Sequence, residues 1–133
     1  MAFNGYLIKV NGTLFPTKYI ASSSYKTTPN QRLDVDSGRV ASGVLQRDVC
    51  AHMPVKVEFE TLAITNDDVA IINSILGVEP DNLGRDVTVE YYDMETDSYK
   101  TADCYMPNPT FSVDTYDSSN IYYSSVRYAF IEY

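Results

Sequence analysis

The chain has 133 residues with ten Lys/Arg against eighteen Asp/Glu, a formal charge of −8, 44% apolar residues, twelve tyrosines and no tryptophan. That length fits one domain, 1–133, with enough apolar content to bury a core without disulfide staples. It contains no apolar run near the ~18 residues of a membrane span, and its acidic balance makes it a poor nucleic-acid grip.

The charge is unevenly placed. Residues 1–64 carry seven Lys/Arg and five Asp/Glu, a balance of +2, whereas 65–133 carry three and thirteen, a balance of −10. One half of such a molecule can meet the other half of an identical neighbour, although acidic loops also serve solubility alone.

In chain order, "YLIKVNGTLFP" reads as a β-hairpin, because Asn11-Gly12 takes the positive φ angles of a tight type I′ turn. Lys9 and this turn also disqualify the stretch as a signal-peptide core, which places the protein in the cytoplasm where it is made. Pro16 ends or edges the second strand. Residues 19–30 are rich in Ser, Thr and Tyr, and "RLDVD" suggests a short strand into the next segment.

That segment, "DSGRVASGVLQRDV" at 36–49, is a long polar arm with two arginines and two glycines. A loop this long in a compact domain is functional or disordered. Paid out as a hairpin, it reaches about 20 Å at roughly 3.3–3.6 Å per residue.

"VKVEFETLAI" then alternates, with Val55, Val57 and Phe59 on one face and Lys56, Glu58 and Glu60 on the other. This predicts a strand that is buried on one side and wet on the other. It leads into "TNDDVAIINSILG", the one helix, at about 65–76. Thr65 or Asn66 caps it, Asp67 and Asp68 suit its positive end, and Val69, Ile72, Ile75 and Leu76 form its apolar stripe before Gly77. "DVTVEYY" and "SYKTADCYM" predict a second hairpin around "DMETD". Pro107 and Pro109 interrupt the chain before "TFSVDTY", and "IYYSSVRYAFIEY" reads as one closing strand. The expected fold is mainly β: an antiparallel β-sandwich or partly closed β-barrel, with one flanking helix and the arm.

Chemistry is sparse. His52 is the sole histidine, and Cys50, His52 and Cys104 give zinc only three ligands. "DVDSG" at 34–38 fails as a calcium loop, since its glycine falls one position early and Leu45 stands where a bidentate acid belongs. Cys50 and Cys104 read as small semi-buried residues, with a structural disulfide as the alternative. Glu58/Glu60 and Asp93/Glu95/Asp97 sit on a wet strand face and a hairpin turn, ordinary places for acids. No nucleophile or phosphate-loop motif occurs. We therefore expect no catalytic residue, no metal and no cofactor. The tyrosines fit half-buried strands, a subunit interface, or a platform for sugars.

The layout of hairpin, long arm, "SGVLQRDVCAHMPVKVEFETL" leading into a single capped helix, "VEYYDMETDSYKTADCYM" and a terminal "VRYAFIEY" resembles the small tail proteins of phages and prophages of Gram-positive bacteria. The resemblance covers most of the chain and rests on layout, not on an invariant motif. It implies a tail-tube-type fold and a virion protein, assembled in the host cytoplasm into rings around a channel. Its partners would be copies of itself and other tail proteins, and DNA would pass without specific binding. On that reading Arg39 and Arg47 meet acids of the neighbouring subunit, and Val40, Val44 and Leu45 fill apolar notches. Glu58 and Glu60 are the candidates for an acidic channel lining. A receptor- or carbohydrate-binding module at the tail tip is the alternative.

Overall fold

The computed structural model describes residues 3–34, 38–39, 41–47 and 49–133. The described residues form twelve strands, one α-helix and two 3-10 turns at Thr17–Tyr19 and Ser22–Ser24, all strand pairs being antiparallel. The strands are β1 (Ile8–Val10), β2 (Thr13–Leu14), β3 (Lys26–Thr28), β4 (Gly38–Arg39), β5 (Leu45–Gln46), β6 (Lys56–Glu60) and β7 (Ile64–Thr65). Helix α1 (Asn66–Leu76) follows, then β8 (Asp86–Asp93), β9 (Ser98–Tyr105), β10 (Val113–Tyr116), β11 (Ile121–Tyr123) and β12 (Arg127–Glu132).

Seven strands form the main sheet in the order β2-β1-β8-β9-β12-β6-β3. A small sheet, β10-β11-β7, and the two-stranded β4-β5 complete the set. The main sheet is open at β2 and β3, so the architecture is a sandwich and not a closed barrel.

Period-two patterning decides which face is dry. Ile8 and Val10, Val87, Val89 and Tyr91, Ala102 and Cys104, Val57 and Phe59, and Tyr128 and Phe130 all point into one core. Ile64 of the small sheet and Ile72 and Leu76 of α1 close over that face, with Val69 and Ile75 packed at its margin. The helical stripe is thus the expected one. Phe59 is the hub of the core: its ring lies 5.1 Å from Phe15, 6.0 Å from Tyr128, and 6.2 Å from both Tyr25 and Phe130.

Local signals fix several boundaries. Asn11 (φ 51°) and Gly12 (φ 82°) make the tight turn between β1 and β2. Thr65 caps α1 in a capping box with Asp68, and Gly77 (φ 65°) ends it in the left-handed conformation.

Two elements depart from the sequence reading. Residues 121–132 form two strands and not one. β11 turns away to pair with β10 and β7, while β12 pairs with β6 and β9. Ser124 and Ser125 lie at the break. Just beyond it the amide of Val126 donates to Oγ1 of the buried Thr61 at 2.9 Å, which anchors the start of β12. The second departure is β3, an edge strand in the Ser/Thr/Tyr-rich stretch. It docks on β6 through Lys26↔Glu58, Thr27↔Val57 and Thr28↔Lys56, and the Tyr25 ring beside it stacks on Phe59. Of the "RLDVD" strand, Asp34 makes a single bridge to Val49; Val35 and Asp36 lie outside the described residues.

One buried polar knot ties the sheet together. Asp93, fully buried at the end of β8, accepts from Lys100 Nζ (2.9 Å), Asn30 Nδ2 (2.9 Å) and the Glu95 amide (2.9 Å). Burial alone would raise this carboxyl, but the bonds from Lys100, Asn30 and the Glu95 amide hold it at about 2. Asn30 follows β3, so the knot joins the edge-strand side to the tip of the β8–β9 hairpin.

Candidate assembly surfaces

The arm is a β-hairpin built from its own residues. The Asp34↔Val49 bridge and the bond from the Cys50 amide to Leu33 O (2.7 Å) form its stem, and Gly38↔Gln46 and Arg39↔Leu45 pair above it. Gly43 (φ 86°) supplies the left-handed turn near its tip. Val44 is 60% exposed and Leu45 44%, so neither is seated in the core of its own chain. Val40 lies outside the described residues, and Arg39 is described by its backbone only.

Arg47 has a partner within the arm. Its Nε and Nη2 donate to Asp34 Oδ1 at 3.0 and 2.8 Å. The guanidinium assigned to a neighbour's acids is therefore engaged across the hairpin stem. Both groups are nearly half exposed, so the pair is worth little energetically and can exchange partners.

The two candidate channel acids differ from each other. Glu58 lies on the outer face of β6, bonded to Arg127 of β12, with Lys56 at 3.9 Å. The Arg127 hydrogen bond, with help from Lys56 and Lys26 against a smaller burial effect, holds its carboxyl below the usual range. Glu60 is exposed at the strand end. This outer face is not acidic: Lys26, Lys56 and Arg127 outnumber Glu58 and Glu60 there.

The tyrosines are divided between core and outside. On the outer side Phe3, Tyr6, Tyr92 and Tyr99 cluster, with Tyr6 stacked on Tyr99 at 4.6 Å and Lys9 over the Tyr6 ring at 4.8 Å. Their hydroxyls are used internally. Tyr6 donates to Glu90 (2.6 Å), Tyr99 to the Tyr6 carbonyl (2.7 Å) and Tyr92 to Asp97. The Glu90 bond, followed by burial, pushes the Tyr6 phenol up to about 12. Groups committed in this way give a sugar few free polar contacts.

Two features went unseen in the sequence. The first is the β10–β11 hairpin, whose Val113, Tyr116, Ile121 and Tyr122 are all exposed, Tyr116 at 75%. Asp117 accepts from the Ser119 and Asn120 amides and so shapes its turn. "DSSN" was the available signal, a turn standing where one closing strand was expected to begin. The second is a pocket of about 220 Å³ past the C-terminal end of α1, walled by Leu76, Val78, Pro80, Leu83, Arg85 and Met106.

Both cysteines are free, which removes the disulfide alternative. Cys104 is buried in β9, and burial, then Glu132 and Asp103, pushes its thiol up to about 12. Among the described residues no three His, Cys, Asp or Glu side chains gather as a metal site, and no helix is long and apolar enough to cross a membrane. Asp93, the fully buried acid, is fixed in its ionised form by the knot, which suits a structural tie and not proton transfer.

No curated protein and no solved structure matches this chain. The comparison with protein families matches residues 1–133 to one described as "Family of unknown function (DUF6711)", and the chain belongs to that family.

Proposed function

We propose that this protein is a non-enzymatic structural subunit of a bacteriophage tail, assembling through its arm into rings around the DNA channel. The observation that carries this reading is the arm. A hairpin held by its own backbone bonds presents Val44 and Leu45 to solvent on a domain whose core is already filled. An exposed hairpin edge with adjoining apolar side chains is a template on which another chain can pair. The exposed β10–β11 hairpin adds a second such surface.

Rings require head-to-tail contacts, in which two different surfaces of each subunit meet. Strands of residues 1–64 and 65–133 alternate in the main sheet, so the two different surfaces are local ones, such as the arm and the acidic β10–β11 hairpin with Asp114 and Asp117. In such a ring acids of residues 65–133 line the conduit, where like charge keeps DNA phosphates from sticking, while Glu60 shares its face with Lys26, Lys56 and Arg127. Glu58, held by Arg127, adds little to that lining.

Negative-stain electron microscopy of the concentrated protein tests the reading. Rings or tubes of uniform diameter are the expected result. A dispersed monomer that is retained on glycan surfaces would overturn it in favour of the tail-tip carbohydrate-binding module.

A further inference from the structure

Resting on that assembly reading, we infer that strand β10 of one copy pairs antiparallel with strand β3 of a second copy, edge to edge, with Asp114 opposite Lys26. Both are end strands among the described residues: β3 closes one side of the main sheet and β10 one side of the small sheet. All four residues of β10 are exposed, and so are Lys26 and Thr28 of β3. An end strand presents unpaired N–H and C=O groups along its outer side, which a strand of similar length can take up. Here four residues meet three.

Charge selects the partner. Residues 1–33, which supply both end strands of the main sheet, hold Lys9, Lys18, Lys26 and Arg32 and no acid. Residues 107–125, which supply β10 and β11, hold Asp114 and Asp117 and no cation. Asp114 is the extra residue of the β10 bulge, passed over in the pairing with β11, and its carboxylate has no ion pair among the described residues. Lys26 likewise forms no ion pair there, since Glu58 across from it on β6 is bonded to Arg127. Lys56 and Arg127 offset Glu58 and Glu60 beside it, which leaves Lys26 as the excess charge of that edge. The other end strand, β2, is a poorer match. It has two residues, Pro16 follows it, and Lys9 and Lys18 rest over the rings of Tyr6 and Tyr19.

The two faces set the register. Thr27 pairs with the buried Val57, and Val113 with Tyr123, which packs against the core, so Thr27 and Val113 both belong to the core side. Placing them opposite each other keeps the core side continuous across the junction and brings Asp114 opposite Lys26, a favourable cross-strand pair. The two edges are different surfaces of one chain, so the contact is heterologous and, repeated, closes a ring or extends a filament. β3 leads through residues 29–33 into the stem of the arm, so arm and edge belong to one stretch of chain.

Size-exclusion chromatography with light scattering over a concentration series compares wild type, Lys26→Asp, Asp114→Lys and the double variant, with circular dichroism to establish that each is folded. Each single reversal sets like charges against each other and is expected to need about tenfold more protein than wild type to associate. The double variant restores the pair with its signs exchanged and is expected to associate within about threefold of wild type. Net charge alone would give another pattern, because Asp114→Lys brings the formal −8 closer to zero and would then favour association. The neutral exchanges Lys26→Gln and Asp114→Asn serve if a reversal unfolds its chain, and each is expected to weaken association by about threefold. A double variant as weak as the single ones would overturn the pairing, because the two residues would then not face each other. Single variants that all assemble as wild type does would also overturn it and leave the assembly reading standing. A wild type that stays monomeric throughout would overturn the assembly reading and this contact with it.

Discussion

Two hairpins of this molecule show what a strand pair does when it is held by a core and when it is not. β8–β9 pairs eight residues with eight, from Asp86↔Tyr105 to Asp93↔Ser98, and buries Val87, Val89, Tyr91, Ala102 and Cys104. β4–β5 pairs two with two, and its described side chains are exposed. The long hairpin is fixed by burial, and its turn is fixed again by Asp93. Among the described residues the short one is tied by its stem and the Arg47–Asp34 pair, and two-stranded ribbons without a hydrophobic face are marginal in water. Val44 and Leu45 of this segment stay exposed to solvent.

Substitutions sharpen that contrast when ranked by their effect on folding. Phe59→Ala should have the largest, because the ring is buried among four other aromatic rings; we expect a loss of about 3–5 kcal/mol in urea unfolding. Asp93→Ala comes next, at about 1–3 kcal/mol, since it strips the shared acceptor from Lys100, Asn30 and the Glu95 amide. The same group gives the protein an acid dependence. Its folded carboxyl sits at about 2, below the ordinary 3.8, so its stabilisation is complete above about pH 4 and fades as pH falls towards 2. The stability gap between wild type and Asp93→Asn should therefore narrow over that window; a constant gap would show that ionisation of Asp93 contributes nothing. Thr65→Ala removes the capping box of α1 and should cost about 1 kcal/mol, read as a lower melting temperature. Val44→Asp should be the smallest, within about 0.5 kcal/mol of wild type. A larger loss there would mean that the arm belongs to the core after all.

Much of the core was legible in the sequence, because it is written in local periods. The alternation of Val55, Val57 and Phe59, the stripe from Val69 to Leu76 and the Asn11-Gly12 turn each need only a few neighbouring residues to be recognised. What escaped depends on distant partners. β3 is a strand because Glu58, Val57 and Lys56 lie beside it, and nothing in "KTT" announces them. The break between β11 and β12 is anchored by Thr61, sixty-five residues earlier in the chain than Val126. The surfaces divide the same way. Val44 and Leu45 were visible as apolar residues in a polar arm, and the structure leaves them exposed. The neutralisation of Glu58 by Arg127 and the pocket beneath Leu83 arise only when separate segments fold together.

The most direct test of the account compares wild type with a chain in which residues 37–47 are replaced by a short Gly-Ser link, using light scattering over a concentration series. The account predicts that wild type forms large, uniform assemblies, while the shortened chain keeps the wild-type melting temperature and remains a monomer. A shortened chain that assembles as wild type does would contradict it, and so would a wild type that never leaves the monomer.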